Sequence, residues 1–395
     1  MTDRPAGQRH QARVPPWRDI RVLRVVVQVV ALLAVGLGVG FLATNLASNM
    51  SERGLSFGYG FLDQRAGFEI GESPVSYSAN DSYGQAFTVG ILNTLFVSIV
   101  GIALATMLGI VVGVARLSPN WLLARIAAGY VEVIRNTPLL LQLFVIYFVV
   151  LVQLPPVRES IALGDSVFLN QRGLFVPAPL RSPTFMTWLG IVIGAIVLVM
   201  VIRALARRSG ATWRDLPLGL IGLLLAAAVA VVAWIALPEA PLQFDLPVAG
   251  RFNFTGGLAL STAFTAILLG LVLYTAGFIA EVVRGGIQAV RRGQVEAARA
   301  LGLSERDTLR LVIFPQAMRI IVPPLTSQYL NLTKNSSLAI AVGYPDLFKV
   351  GTTMANQTGQ PVPVIAMVMG TYLVISLATS LLMNLYNRRV QVEER

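Results

Sequence analysis

Apolar segments long enough to cross a membrane recur along almost the whole chain. A spanning helix needs about 20 predominantly apolar residues. We place eight such segments at residues 25–47, 87–115, 124–152, 186–202, 216–237, 258–283, 320–342 and 362–386. The sequence therefore predicts an all-α polytopic membrane protein with about eight transmembrane helices. The first span is followed by no evident small-residue cleavage site, so we interpret it as an uncleaved anchor.

The second span carries small residues at four-residue spacing: Gly101, Ala105, Gly109 and Gly113. A stripe of this kind lets two helices approach each other closely. We expect it to pack against another helix of the same subunit.

The polar stretch between the sixth and seventh spans predicts a helical hairpin. Apolar residues recur there at helical steps on one face: Ile287, Val290, Ala297, Ala298 and Leu301. Gly302 then stands where a helix C-cap favours a positive φ. Ser304, with Asp307 three residues on, predicts the N-cap of a second helix, and we expect Pro315 to end that helix. A hairpin this short cannot form its own core, so we expect it to dock against a partner.

The distribution of positive charge predicts the orientation. If the N-terminus is cytoplasmic, 22 of the 31 Lys and Arg residues fall on the inside and 7 on the outside. The positive-inside rule favours this arrangement. It places both termini and the 284–319 loop in the cytoplasm, and segments 48–85, 153–185 and 238–257 outside. The net charge of +11 is thereby explained by topology, without a nucleic-acid partner.

Several kinds of chemistry have no residues to support them. The chain has no Cys, and its one His, His10, lies in the polar tail 1–24. We find no metal-binding or catalytic constellation and expect no cofactor in this chain. The phosphate-binding pattern G-x-x-x-x-G-K-[ST] is absent, and neither Lys334 nor Lys349 follows such a loop. ATP-driven transport would therefore need an ATP-binding subunit in trans.

Polar groups at membrane depth usually face a bundle interior or a cavity. We expect Pro138 to break a helix, and we propose substrate-path residues on the two polar runs: Arg135, Gln142, Lys334, Asn335 and Ser336. The competing interpretation is structural, with Arg135 paired to Glu132 and Lys334 bound to a backbone carbonyl. A third polar place, Asn93 and Thr94, is more typical of helix–helix hydrogen bonding.

Three motifs in the hairpin carry a resemblance to a known family. Glu296-Ala297-Ala298, then Gly302, then Ile313-Phe314-Pro315 resemble the EAA loop of binding-protein-dependent ABC importer permeases. In that family the loop inserts into a cleft on the ATP-binding subunit. The resemblance implies that coupling to an ATPase involves these residues: Glu296, Ala297, Ala298, Gly302 and Pro315.

Three further stretches narrow the resemblance, namely 48–85, 130–148 and 332–348. Together they resemble the larger permease subunits of general or polar L-amino-acid importers in the bacterial inner membrane. This implies a separate ATP-binding subunit, a second and related permease, and a periplasmic amino-acid-binding protein. It also implies an ordered division of the chain: 1–24 tail, 25–85 first helix and periplasmic segment, 86–153 first core part, 154–256 insertion with two added helices, 257–389 second core part, and 390–395 tail.

Other function classes remain open at this point. The main alternative is a secondary amino-acid transporter independent of an ATPase, although no internal repeat is visible. A membrane enzyme or a non-transporting scaffold has less support. The residues do not choose among glutamate, glutamine, histidine or a broader set of substrates.

Overall fold

The computed structural model describes residues 20–52, 58–208, 218–250 and 253–390. Helices dominate these ranges, which confirms the predicted class. In chain order they are α1 (Ile20–Glu52), α2 (Tyr83–Ala115), α3 (Trp121–Asn136), α4 (Leu139–Phe144), α5 (Phe185–Arg208), α6 (Leu218–Ala236), α7 (Thr262–Gln288), α8 (Arg292–Ala300), α9 (Glu305–Asp307), α10 (Phe314–Asn335), α11 (Leu347–Thr358) and α12 (Pro361–Val390). Two π-helical turns, Val145–Leu151 and Thr308–Ile313, follow α4 and α9, and the 3-10 helix Ser336–Val342 follows α10.

The predicted count of eight spans is not confirmed exactly within the described ranges. Within the described ranges, six helical segments are long and apolar enough to cross a membrane. The α3–α4 pair is bent by 107° and adds a seventh span if both helices are counted as one. The remaining predicted span coincides with α6, an apolar helix of 19 residues in which the side chains are described continuously only over Leu224–Ala236.

The chain also contains short strands that the sequence did not predict. Four of them form an antiparallel sheet in the order β1-β2-β3-β8, and β4 pairs with β5 and β6 with β7. Their bounds are β1 Ile161–Ala162, β2 Phe168–Asn170, β3 Gly173–Val176, β4 Ala178–Arg181, β5 Leu242–Asp245, β6 Val248–Ala249, β7 Phe254–Thr255 and β8 Leu258–Ser261. Strands of two to four residues are too short to show an alternating pattern.

Strand β8 corrects the start of the sixth predicted span. The apolar run begins at Leu258, but residues 258–261 pair with β3 in the register Val176↔Leu258 to Gly173↔Ser261. The helix α7 starts only at Thr262, because the Ser261 side chain caps it by accepting the backbone N–H of Phe264 at 3.0 Å. Gly173 has φ +132° and lies so close to Leu260 that a side chain has no room. The sheet is thus joined directly to the first turn of α7.

The core is built around the contact between α2 and α7. The small residues predicted to form a packing stripe do so within this subunit. A Cβ added to Gly109 would lie 2.6 Å from Ile279, and one added to Gly113 would lie 2.8 Å from the Ala280 carbonyl oxygen. Ala105 and Ile279 are fully buried. The two backbones approach each other because these positions lack bulk.

The break expected at Pro138 is present between α3 and α4. Residues freed from the helical hydrogen-bond pattern are bonded by side chains. Gln142 Nε2 donates to the carbonyl oxygens of Ile134 and Thr137, each at 3.0 Å. This satisfies backbone groups that would otherwise be unpaired inside a membrane.

A helix–turn–helix runs from α8 to α9 at the place of the predicted hairpin, with one correction, and its EAA-type coupling role stays a prediction. Gly302 has φ +76° after α8, and the Ser304 hydroxyl accepts the backbone N–H of Asp307 at 3.1 Å. Pro315, however, does not end the second helix, and the chain continues through it into α10. The π-helical turn Thr308–Ile313 directly precedes Pro315 and shifts the hydrogen-bond pattern, so its missing N–H does not end the helix. The segment Glu305–Val342 is therefore continuous with the seventh span.

Replacement of Gly109 tests the α2–α7 contact. We expect Gly109→Ala to destabilise the protein by about 1–3 kcal/mol, because the new methyl group overlaps Ile279 in a packed core. Gly129→Ala is the matched control, since Gly129 lies in α3 with no atom within 4 Å of the added Cβ. The measurement is the melting temperature of each purified variant in detergent. Equal melting temperatures for Gly109→Ala and the parent protein would contradict this packing.

Candidate translocation path and coupling hairpin

A charged cavity lies between α3 and α7, close to the end of the bundle that carries the hairpin. Its volume is about 370 Å³. The polar and aromatic residues that line it are Arg116, Glu132, Arg135, Asn136, Phe278 and Glu281. We call it the arginine cavity.

Arg135 reaches this cavity from the last turn of α3, next to the break. Its guanidinium carbon lies 5.3 Å from the centroid of the Phe278 ring, a cation–π geometry. No ion pair between Arg135 and Glu132 occurs among the described residues, so the structural pairing considered from the sequence is not formed. Arg135 is exposed in this single chain.

Two arginines hold the Glu281 carboxylate at the rim of the arginine cavity. Arg116, the C-cap of α2, pairs with one carboxylate oxygen, and Arg284 on α7 pairs with the other. Charge-assisted bonds of this kind are stronger than neutral ones. They tie the end of α2 to α7 just before the chain enters the hairpin.

A second cavity, of about 280 Å³, adjoins Phe278 on the side of α10. Its lining residues are Tyr274, Thr275, Phe278, Gln328, Asn331 and Asn335. All of them except Phe278 carry a side-chain amide or hydroxyl. We call it the amide cavity. Phe278 lines both cavities, so they lie on either side of its ring.

The structure separates the five predicted path residues. Arg135 lines the arginine cavity and Asn335 lines the amide cavity. Gln142 is buried, and its donors are used at the helix break. Ser336 is also buried and donates to the Thr333 carbonyl oxygen at 2.8 Å.

Lys334 faces away from both cavities. It lines a largely apolar groove of about 880 Å³ formed with α11 and α12. No hydrogen bond from Lys334 to a backbone carbonyl is found in the part of the chain that the structure describes, whereas Lys349 Nζ does donate to the Gly343 carbonyl oxygen. The two predicted cations therefore do not face a common space.

Thr275, Phe278 and Gln328 are lining residues that the sequence prediction missed. Thr275 and Phe278 stand one turn apart in the apolar middle of α7. The surrounding apolar residues give no sign in the sequence that these two line a polar cavity. Gln328, Asn331 and Asn335 follow i, i+3, i+7 spacing, which places amides on one helical face. That spacing is a signal that could have been used.

Asn93 and Thr94 have structural roles, as the sequence favoured. Asn93 Nδ2 donates to the carbonyl oxygens of Glu72 and Pro345, each at 2.9 Å. The Thr94 hydroxyl accepts the backbone N–H of Leu347 at 2.9 Å. These bonds join α2 to the segment before α2 and to the start of α11.

The hairpin presents a small exposed surface. Ala298 is buried, with 3% of its surface exposed, and its carbonyl oxygen accepts the Leu303 N–H at 3.1 Å, which closes the turn. Glu296 and Ala297 are exposed on α8. Leu301 is 82% exposed and presents an apolar side chain at the surface of the turn.

The known proteins that this chain resembles are membrane components of transport systems. Residues 105–392 match the family described as "Binding-protein-dependent transport system inner membrane component". The chain is 46% identical over 369 residues to the general L-amino acid transport system permease protein AapQ of Rhizobium johnstonii, covering 92% of each chain. It is 40% identical over 412 aligned positions to the glutamate/glutamine/aspartate/asparagine transport system permease protein BztB of Rhodobacter capsulatus, covering 95% of this chain and 96% of that protein.

The chain therefore belongs to the family of inner-membrane components of binding-protein-dependent transport systems. It is the membrane-spanning subunit of an ATP-driven importer.

Proposed function

We propose that this subunit carries L-amino acids across the bacterial inner membrane and is driven by a separate ATPase that docks on the hairpin. The similarity to amino-acid permeases over nearly the whole chain is the observation that carries this proposal. The two cavities beside Phe278 support it, since a guanidinium and several amides suit the carboxylate and polar groups of an amino acid. The secondary-transporter alternative has no comparable support.

The distribution of Lys and Arg between the two sides of the membrane sets the orientation in this proposal. The hairpin belongs in the cytoplasm, where ATP is available, and the strands belong on the outside. Both termini are then cytoplasmic. The binding protein approaches the end of the bundle that carries the sheet, and it delivers the amino acid there.

The hairpin is placed to transmit movement. Only residues 289–291 separate α7 from α8, and the second arm of the hairpin is continuous with α10. The amide cavity is lined by the same two helices, α7 and α10. A partner that moves the hairpin would therefore move both walls of that cavity. Glu296, Ala297 and Leu301 are the contact residues in this proposal, while Ala298, Gly302 and Pro315 shape the hairpin.

A second membrane subunit is part of the proposal for a physical reason. Arg135 and Asn331 are exposed on the surface of the single chain, on helices that belong to candidate spans. Charged and amide groups facing lipid are costly. A second, related permease that encloses them would convert this surface into a water-accessible path.

The coupling role is tested at Gly302. We expect Gly302→Val to abolish binding-protein-stimulated ATP hydrolysis and uptake in reconstituted complexes, because a β-branched residue at φ +76° costs roughly 1–3 kcal/mol and distorts the turn. Gly302→Asn should retain most activity, since Asn tolerates this backbone conformation. Gly293→Ala, in the exposed first turn of α8, is the control. Full coupling in Gly302→Val would refute the role of the hairpin.

The path is tested at Arg135. We expect Arg135→Gln to slow uptake by about tenfold or more, since a hydrogen bond to a charged group contributes about 1.5–3 kcal/mol. Assembly and basal ATP hydrolysis should be unchanged. Arg125→Gln, an exposed arginine on the same helix outside the cavity, should transport normally. Slowed uptake in Lys334→Gln together with parental uptake in Arg135→Gln would show that the route follows the other groove.

The orientation is tested by labelling single cysteines introduced into this Cys-free chain. In intact spheroplasts, an impermeant thiol reagent should modify Asn80→Cys and should modify Ser304→Cys only after the membrane is opened. Both positions are exposed. The reverse pattern would overturn the orientation.

A further inference from the structure

A separate polar cavity lies at the sheet end of the bundle, opposite the hairpin, and has no part in the path described above. Its volume is about 420 Å³, within the range of small-ligand sites. Four regions of the chain form its walls: residues 68–72, the N-cap Ser261 of α7, the turn at Gly343 and Pro345, and the first turns of α11 with Lys349 and Thr353.

The walls are held together by bonds rather than by loose contact. Asn93 Nδ2 joins the Glu72 carbonyl to the Pro345 carbonyl. The Tyr344 hydroxyl donates to the Asn93 carbonyl oxygen at 3.2 Å. Asp346 caps α11 and accepts both the Lys349 backbone N–H at 2.9 Å and the Tyr372 hydroxyl at 3.1 Å. The cavity is thus a preformed space fixed to α2 and α12.

Three charged side chains line this cavity, Glu69, Glu72 and Lys349, and none of them forms an ion pair in the described part of the chain. One Glu72 carboxylate oxygen accepts the Ser261 hydroxyl, and no bond to the other oxygen is found among the described residues. Lys349 Nζ gives one donor to the Gly343 carbonyl, which leaves two of its three donors. The cavity therefore offers a spare anionic acceptor and spare cationic donors.

The electrostatics favour a ligand that carries both charges. Burial raises the pKa of the Glu72 carboxyl, against the Ser261 hydrogen bond and the Lys349 charge, which both lower it. A ligand ammonium group would favour the ionised carboxylate. The Asp346 carboxylate also faces Lys349, but it already accepts hydrogen bonds from the Lys349 backbone N–H and the Tyr372 hydroxyl. A purely anionic ligand would be repelled by Glu69 and Glu72, and a purely cationic one would make no use of the spare Lys349 donors.

We propose that this cavity is a binding site for the zwitterionic backbone of an α-amino acid, with the ammonium group on Glu72 and the carboxylate on Lys349. The inference rests on the proposed function, which places this end of the bundle where the amino acid arrives. Recognition through the backbone alone would serve amino acids of different side chains. Thr353 and Phe68 face the remaining space, where a side chain would lie.

The chain offers an internal control for a direct test, because Lys334 and Lys349 are its only lysines. The assembled complex in nanodiscs is treated with an amine-acylating reagent, and the modification of each lysine is followed by peptide mass spectrometry. The probe is a mixture of common L-amino acids. The Lys349 modification rate is divided by the Lys334 rate, because reagent consumed by the free amino acids lowers both rates by the same factor.

We expect the mixture to lower that ratio by about tenfold when the ligand is at about ten times its Kd, because protection follows mass action. N-acetylated amino acids lack the ammonium charge and amino-acid amides lack the carboxylate, so neither should protect Lys349. An unchanged ratio with the free amino acids would overturn the proposal, as would equal protection by the blocked compounds.

A pair of variants separates this site from a purely structural cluster. Glu72→Gln keeps an oxygen that can accept the Ser261 hydroxyl but removes the charge, and it should lose the protection. Glu69→Gln is the matched control, because Glu69 lines the same cavity but is exposed, so that water screens its charge more than that of the half-buried Glu72. Retained protection in Glu72→Gln would contradict the assignment. The comparison with blocked compounds needs no variant and stands even if Glu72→Gln fails to fold.

A measurement of amino-acid uptake by the same complex distinguishes failure of the proposed site from failure of the proposed function. Uptake of amino acids without protection of Lys349 would overturn the site alone. Absence of uptake from a correctly assembled complex would overturn the proposed function.

Discussion

The close approach of α2 and α7 is the constraint on which the rest of the structure depends. Lipid provides little hydrophobic drive for helices to associate, so contact requires complementary surfaces. Gly109 and Gly113 provide the space into which Ile279 and Val283 fit. Everything with a proposed role is attached to this pair. The sheet and Ser261 begin α7, Phe278 lies beyond its middle, and the hairpin follows its last turn. The helix α7 therefore connects the sheet end of the subunit to the hairpin end.

The polar groups inside the bundle fall into two classes once their partners are known. Asn93, Thr94 and Gln142 have their hydrogen-bonding groups engaged by nearby backbone, which stabilises an irregular fold in a medium without water. Arg135 and Asn331 instead border open space and face outward from the single chain. Residue type alone does not separate these classes, since amides occur in both. Satisfied groups hold the fold together, and unsatisfied groups are available for a passing solute.

Much of this arrangement could be predicted from local signals. The Gly302 and Ser304 caps, the break at Pro138 and the packing stripe on α2 follow from single-residue chemistry, and all three were predicted. The short strands were missed because their pairing is decided by partners distant in sequence. The helix through Pro315 was missed because the π-helical turn that precedes it accommodates the proline. The sequence could not separate Arg135 from Lys334, since only the packing of α3 and α10 directs their side chains into different spaces.

The central claim is that ATP-driven movement of the hairpin opens and closes the cavity between α7 and α10. The most direct measurement uses Asn331→Cys in the otherwise Cys-free chain, since Asn331 is exposed and lines the amide cavity. Thiol labelling is measured from each side of the membrane, in the nucleotide-free complex and in the complex trapped with ATP. The account predicts that the reactive side changes between the two states. Identical labelling in both states would contradict it.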